Sequence, residues 1–82
     1  MKTNDIKKGY RVKLDNGWMG TMMDNARGNT RMVEVEGFET ETGSVYAHDI
    51  KWAKAPSDNG FTRVEHTEKQ LALKMQVESF FV

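Results

Sequence analysis

The chain has 82 residues, of which 38% are hydrophobic and 29% are charged, and its twelve basic and twelve acidic side chains cancel. This size allows one small domain, and the composition excludes a disordered chain and a membrane span, because no apolar run approaches the ~20 residues that a spanning helix needs. The absence of cysteine excludes disulfides, thiol catalysis and cysteine-ligated zinc.

Period-two alternation predicts three strands in the first half of the chain. Residues 10–14 alternate apolar and basic side chains, and Asp15-Asn16-Gly17 is a strong turn signal. A second strand is predicted over 18–23, where Gly20 marks a bulge or a close approach of two backbones. A third strand is predicted over 30–38.

The next segment predicts shorter elements. A turn over 39–43 precedes a strand over 44–46, a single helical turn over 47–50 and a last strand over 51–53. Turn signals therefore recur every eight to twelve residues, which is typical of an all-β domain.

Pro56, the only proline, marks a change of pattern. We expect a β domain over 1–56, a linker over 57–66 and an amphipathic helix within 67–82. Thr67-Glu68-Lys69-Gln70 is a capping-box sequence, so the helix is predicted to begin there. The helix is expected to pack on the β domain, or on a partner, through three apolar side chains: Leu71, Met75 and Val77.

The stretch from Lys7 to Glu36 resembles a KOW motif, the strand-loop-strand unit of ribosomal and transcription-elongation proteins. The resemblance rests on the glycine before the first strand, the apolar residues after it, and a glycine followed two residues later by a core residue. These positions are Gly9, Val12, Leu14, Gly20 and Met22. The sequence departs from the motif at Met19 and Thr21, where the family usually carries a lysine, and in the glutamates of the third strand.

Five short strands with a helical turn before the last follow the usual plan of an SH3-like barrel. The expected fold is therefore mainly β: a five-stranded SH3-like barrel with one C-terminal α-helix. The pattern over 7–50 is also similar to small proteins of bacteriophages and plasmids. That similarity implies an accessory role in a mobile element. No apolar stretch follows Met1, so no secretory signal is expected, and the implied location is the cytoplasm of a bacterial host.

The sequence does not predict catalysis. His48 and His66 are far apart, and His48 alone lies beside a carboxylate, that of Asp49. No serine has the context of an activated nucleophile, and the glycines fit no phosphate-binding spacing. We therefore expect a non-enzymatic protein with no cofactor and no metal.

The leading functional hypothesis is a binding module that contacts nucleic acid or a nucleoprotein complex. Cationic side chains beside an aromatic ring hold single-stranded nucleic acid through phosphate contacts and base stacking. The predicted interface comprises Lys7, Lys8, Arg11, Lys13, Trp18, Arg27 and Arg31.

The alternative is a protein–protein module, an inhibitor or adaptor acting on a host or viral protein. It would use the acidic third strand, where carboxylates mimic phosphate spacing, or exposed methionines and the apolar tail. These residues are Met19, Met23, Glu34, Glu36, Phe80 and Phe81. A homodimer formed through the C-terminal helix is also expected.

Overall fold

A computed structural model describes residues 1–25 and 28–79. In these ranges the protein is mainly β, with six antiparallel strands in one sheet of order β4-β3-β2-β1-β5-β6 and one C-terminal helix. The strands are β1 (Arg11–Leu14), β2 (Met19–Asp24), β3 (Thr30–Glu36), β4 (Thr40–Tyr46), β5 (Ile50–Lys54) and β6 (Thr62–Arg63). Short 3₁₀ turns lie at Thr3–Asp5 and Ala47–Asp49.

The alternation of side chains produces one buried core. Inward-facing residues of β1, β2, β3 and β5 pack with one apolar residue before β1 and one after β6. The core comprises Ile6, Val12, Leu14, Met22, Val33, Ile50, Ala53 and Val64. Gly20 lies in this core, and a Cβ there would lie 2.6 Å from Val33 Cγ1 and 2.8 Å from the Glu34 carbonyl oxygen. Glycine is therefore needed for β2 and β3 to pack, which agrees with the close approach of two backbones predicted at Gly20.

The strands predicted over 10–14, 18–23, 30–38 and 51–53, the turn at Asp15–Gly17 and the helical turn before β5 are confirmed to within two residues at each end. The β4 strand is longer than predicted, because Thr40–Gly43 pairs with β3 rather than forming a turn. The sheet has six strands and remains open at β4 and β6, so a closed five-stranded barrel is not observed. The sixth strand lies within the segment expected as a linker, where Val64 is also buried.

The helix α1 (Glu68–Ser79) begins at the predicted capping box. The Thr67 N–H donates to Gln70 Oε1 at 2.9 Å, and the Gln70 N–H donates to Thr67 Oγ1 at 3.1 Å. The expectation that Leu71 and Met75 pack on the sheet is wrong, since they are 45% and 72% exposed. The face of Gln70, Leu73, Lys74 and Val77 is half-buried instead, and the helix contacts the 3₁₀ turn at Ala47–Asp49. No described helix is long and apolar enough to cross a membrane.

Two histidines lie where the helix begins. His48 is buried in the 3₁₀ turn beside Asp49 and stacks on Tyr46 with ring centroids 4.9 Å apart, and His66 directly precedes the capping box. The Nδ1 atoms of both rings are buried and lack a hydrogen-bond partner among the described residues. Burial lowers the pKa of His66, and the neighbouring His48, Lys74 and Arg63 lower it further, against an opposing effect of the Gln70 side chain. The fold therefore favours neutral His66.

We predict that stability falls as the pH decreases from about 7.5 to about 5.5, because the unfolded chain takes up a proton on His66 before the folded chain does. The contribution of neutral His66 to the free energy of unfolding is present above the pKa that His66 has in the unfolded chain. It is lost as the pH falls through the lower pKa that His66 has in the folded chain. Urea unfolding of the protein and of His66→Gln at the two pH values checks this. The variant should show a smaller loss, and an equal loss in both proteins would contradict the assignment to His66.

Candidate functional site

The turn between β1 and β2 holds Trp18 at the rim of the sheet. Asn16 Oδ1 accepts a hydrogen bond from the Trp18 N–H at 3.0 Å, and the Leu14 N–H donates to the Trp18 carbonyl at 2.8 Å. Gly17 completes the turn with a φ of 89°, a conformation that side chains disfavour. Met19 pairs with Lys13 on the outer face, so alternation directs Trp18 towards the inner face.

Trp18 packs across the sheet on Gly37, in the turn between β3 and β4. A Cβ on Gly37 would lie 2.5 Å from the indole Cζ3, so the ring occupies the space that any other residue would need. The next residue, Phe38, meets the indole edge-on with centroids 6.0 Å apart and an interplanar angle of 83°. Trp18 is 43% exposed and Phe38 is 99% exposed, so both rings are accessible from solvent.

These rings mark one end of a groove between the β1–β2 turn and β4. A cavity of about 460 Å³ at the Asp49 end and one of about 270 Å³ beneath Trp18 share Leu14, Asn16, Ser44 and Val45 in their walls. A third cavity, also of about 270 Å³, shares Trp18 and Glu41 with the cavity beneath Trp18. Phe38 and Glu39 complete its walls. We call this surface the Trp18 groove, defined by Leu14, Trp18, Val35, Phe38, Glu41 and Val45.

The charge of the Trp18 groove is negative. Asp15, Glu39, Glu41 and Asp49 line its three cavities, and among the described residues no lysine or arginine does. Lys51 approaches Asp15 from outside at 3.4 Å. Within the described part of the chain, Glu39 and Glu41 form no ion pair, so their charges remain available to a cationic ligand.

The residues predicted to bind nucleic acid do not form one surface. Lys7, Lys8 and Lys13 are exposed, whereas Trp18 lies in the acidic groove. Arg11 donates to Thr21 Oγ1 at 2.9 Å and forms an ion pair with Glu36, which lowers the pKa of that carboxyl. Arg27 lies outside the described residues.

Arg31 is a structural residue and is only 3% exposed. Its guanidinium donates to the Gly28 carbonyl at 2.7 Å, the Thr30 carbonyl at 2.9 Å and Asn4 Oδ1 at 2.9 Å, and it also bonds Asn25 Oδ1. Burial lowers its pKa. Because these partners satisfy the guanidinium inside the fold, Arg31 is not available to a phosphate.

The residues of the predicted protein interface are also dispersed. Met19 and Met23 are half-buried, Glu34 is half-buried on β3, and Glu36 is bound by Arg11. The acidic strand is therefore not a carboxylate array free of cross-strand bases. Phe80 and Phe81 lie outside the described residues.

The sequence interpretation missed Gly37, Phe38 and Trp52. A glycine followed by an aromatic residue in a predicted strand end was the available signal for the first two. Trp52 is half-buried on the outer face of β5, where Lys13 and Arg63 are its direct partners on the two neighbouring strands. Among the described residues, no three histidine, aspartate or glutamate side chains lie close enough together to hold a metal ion.

Comparison with known proteins gives no match: no family model, no curated protein and no solved structure is similar to this chain. The resemblance to a KOW motif therefore stays a prediction, and functional inference rests on the geometry described above.

The two arginines allow a direct test of which basic residue is structural. We predict that Arg31→Ala lowers the free energy of unfolding by about 3 kcal/mol, because it leaves several buried acceptors without a donor. Arg11→Ala is the matched control and should cost far less, since exposed ion pairs contribute little. Urea unfolding at pH 7 measures both, and equal losses would contradict the structural role of Arg31.

Proposed function

We propose that this chain is a non-enzymatic protein-binding module that holds a basic segment of a partner polypeptide in the Trp18 groove. The observation that carries the proposal is the combination, in one concave surface, of two exposed aromatic rings with carboxylates that form no ion pair within residues 1–25 and 28–79. The proposed function is of the same kind as the protein–protein alternative in the sequence analysis, but it uses different residues.

The chemistry of the groove favours a lysine or arginine side chain. A cation over the face of Trp18 or Phe38 gains a cation–π interaction, and Glu39 and Glu41 supply opposite charge beside those rings. Leu14, Val35 and Val45 offer an apolar floor on which aliphatic side chains of the same segment can pack. Aromatic anchors in pockets are the usual centres of binding energy in protein interfaces.

The backbone of β4 adds a second source of affinity. β4 is an edge strand, so the N–H and C=O groups on its outer side are not paired within the sheet. The groove runs along consecutive β4 residues from Gly43 to Tyr46. An extended segment lying there could form main-chain hydrogen bonds with β4 while its basic side chain reaches the rings.

The SH3-like interpretation of the fold is part of this proposal. It is supported by the strand order β5-β1-β2-β3-β4 and by the 3₁₀ turn between β4 and β5, with β6 and α1 as additions to that plan. In such an arrangement the groove lies where the sheet curls without closing. Phosphate groups would be repelled at this position by the groove carboxylates, which is why we place no nucleic acid there.

Selection from a displayed random peptide library tests the proposal. We predict that the protein enriches peptides carrying lysine or arginine beside aliphatic residues. Synthetic versions should bind with at least tenfold lower affinity to Trp18→Ala and to Glu41→Lys, measured by isothermal titration calorimetry, because each change removes one half of the cation site.

Trp52→Ala is the matched control, since it removes the other tryptophan from the opposite face of the sheet and should leave peptide affinity unchanged. Thermal melts verify that each variant is folded. Enrichment of acidic peptides, or equal binding to Trp18→Ala and the unmodified protein, would refute the proposal.

A further inference from the structure

The outer face of the sheet carries a second aromatic surface, of opposite charge. Trp52 lies directly between Lys13 on β1 and Arg63 on β6 in the strand register. Lys54 occupies the next outward position of β5, and Phe61, two residues before Arg63, is 37% exposed. We call this surface the Trp52 face, defined by Lys13, Trp52, Lys54, Phe61 and Arg63.

The cations of the Trp52 face are largely unneutralised. Within the described ranges, the side chains of Lys13 and Arg63 form no hydrogen bond or ion pair, and Lys54 Nζ donates to the Asp58 carbonyl at 3.1 Å. On this side β3 carries Glu36, which is ion-paired with Arg11, and Glu34, which β2 and β1 separate from Trp52 on β5. Asp58 accepts a hydrogen bond from the Ala55 N–H at 3.0 Å and keeps its negative charge near Lys54, so among the described residues of this face Lys13 and Arg63 are the free cations; Glu65 lies past β6 beside Lys2.

We infer that the Trp52 face binds single-stranded nucleic acid. Its cations would contact successive phosphates, and the indole between them would stack on an unpaired base. Duplex binding needs cations alone, whereas aromatic rings beside cations, here the half-buried Trp52 and the partly exposed Phe61, add affinity when bases are free to stack. The charge complementarity selects a polyanion, and the aromatic rings select one with flat, unpaired bases.

This site is independent of the Trp18 groove. Val12 and Ala53 alternate with the residues of the Trp52 face and are buried in the core, so the two surfaces lie on opposite sides of the sheet. Failure of one proposal therefore leaves the other standing. Of the residues first expected to bind nucleic acid, Lys13 is the one that belongs to this face.

Fluorescence anisotropy with a labelled 20-nucleotide thymidine DNA, the corresponding uridine RNA and a 20-base-pair duplex tests the inference. We expect binding of at least one single strand to weaken about twentyfold between ~50 and ~200 mM salt, as about three phosphate contacts require. Trp52→Ala should weaken binding about tenfold or more, through loss of stacking. Trp52→Phe should retain most of the affinity, because it keeps a stacking ring.

Two controls keep the test decisive even if Trp52→Ala folds poorly. The double variant Lys13→Glu/Arg63→Glu changes only exposed side chains and should abolish binding, while Trp18→Ala should leave it unchanged. The inference is overturned if neither single strand binds at ~100 μM protein in ~50 mM salt. It is also overturned if the duplex binds more tightly than both single strands, if Trp18→Ala weakens binding as much as Trp52→Ala, or if polyglutamate displaces the strand as readily as unlabelled strand does.

Discussion

Burial of the Arg31 guanidinium is the constraint on which the arrangement of this small domain depends. An unpaired charge inside a protein is costly, so the fold must bring acceptors to it. Gly28, before β3, and Thr30, its first residue, supply carbonyls, and Asn4 supplies a side-chain oxygen from the N-terminal 3₁₀ turn. Asn25 completes the network by donating to the carbonyls of Thr3 and Ile6, which ties the N-terminal segment to the β2–β3 connection. Ile6 is thereby held in the core.

Strand alternation then groups part of the charge of a chain with no net charge into two local surfaces of opposite sign. The carboxylates of Glu39 and Glu41 line the groove beside Trp18, while Lys13 and Arg63 flank Trp52 on the outer side. Because each surface joins an aromatic ring with charges of one sign, the two proposed ligands are a basic polypeptide segment and a single-stranded polyanion. The nucleoprotein context expected from the sequence stays a prediction.

Local signals were sufficient to predict most elements but not the sites. The turn at Asn16-Gly17, the alternation around Val12 and the capping box at Thr67 each depend on neighbouring residues, and all three are observed. The groove depends on register across strands, since Trp18 meets Gly37 only because Met19 pairs with Glu36. Arg31 is assigned to the basic interface from the sequence, although alternation places it on the face of Val33 and Val35, because its partner Asn4 is 27 residues away and leaves no local signal. Likewise, β6 has two residues, too few for a periodic pattern.

The most direct test of the central claim is a ¹H–¹⁵N correlation spectrum of the labelled protein titrated with a library-selected basic peptide. The protein has two tryptophans, so its two indole N–H signals report on the two faces in one experiment. We predict that the Trp18 indole signal and the backbone amides of Gly43–Val45 shift with the peptide, while the Trp52 indole signal stays fixed. Movement of the Trp52 signal with a fixed Trp18 signal, or no movement of either, would contradict the account.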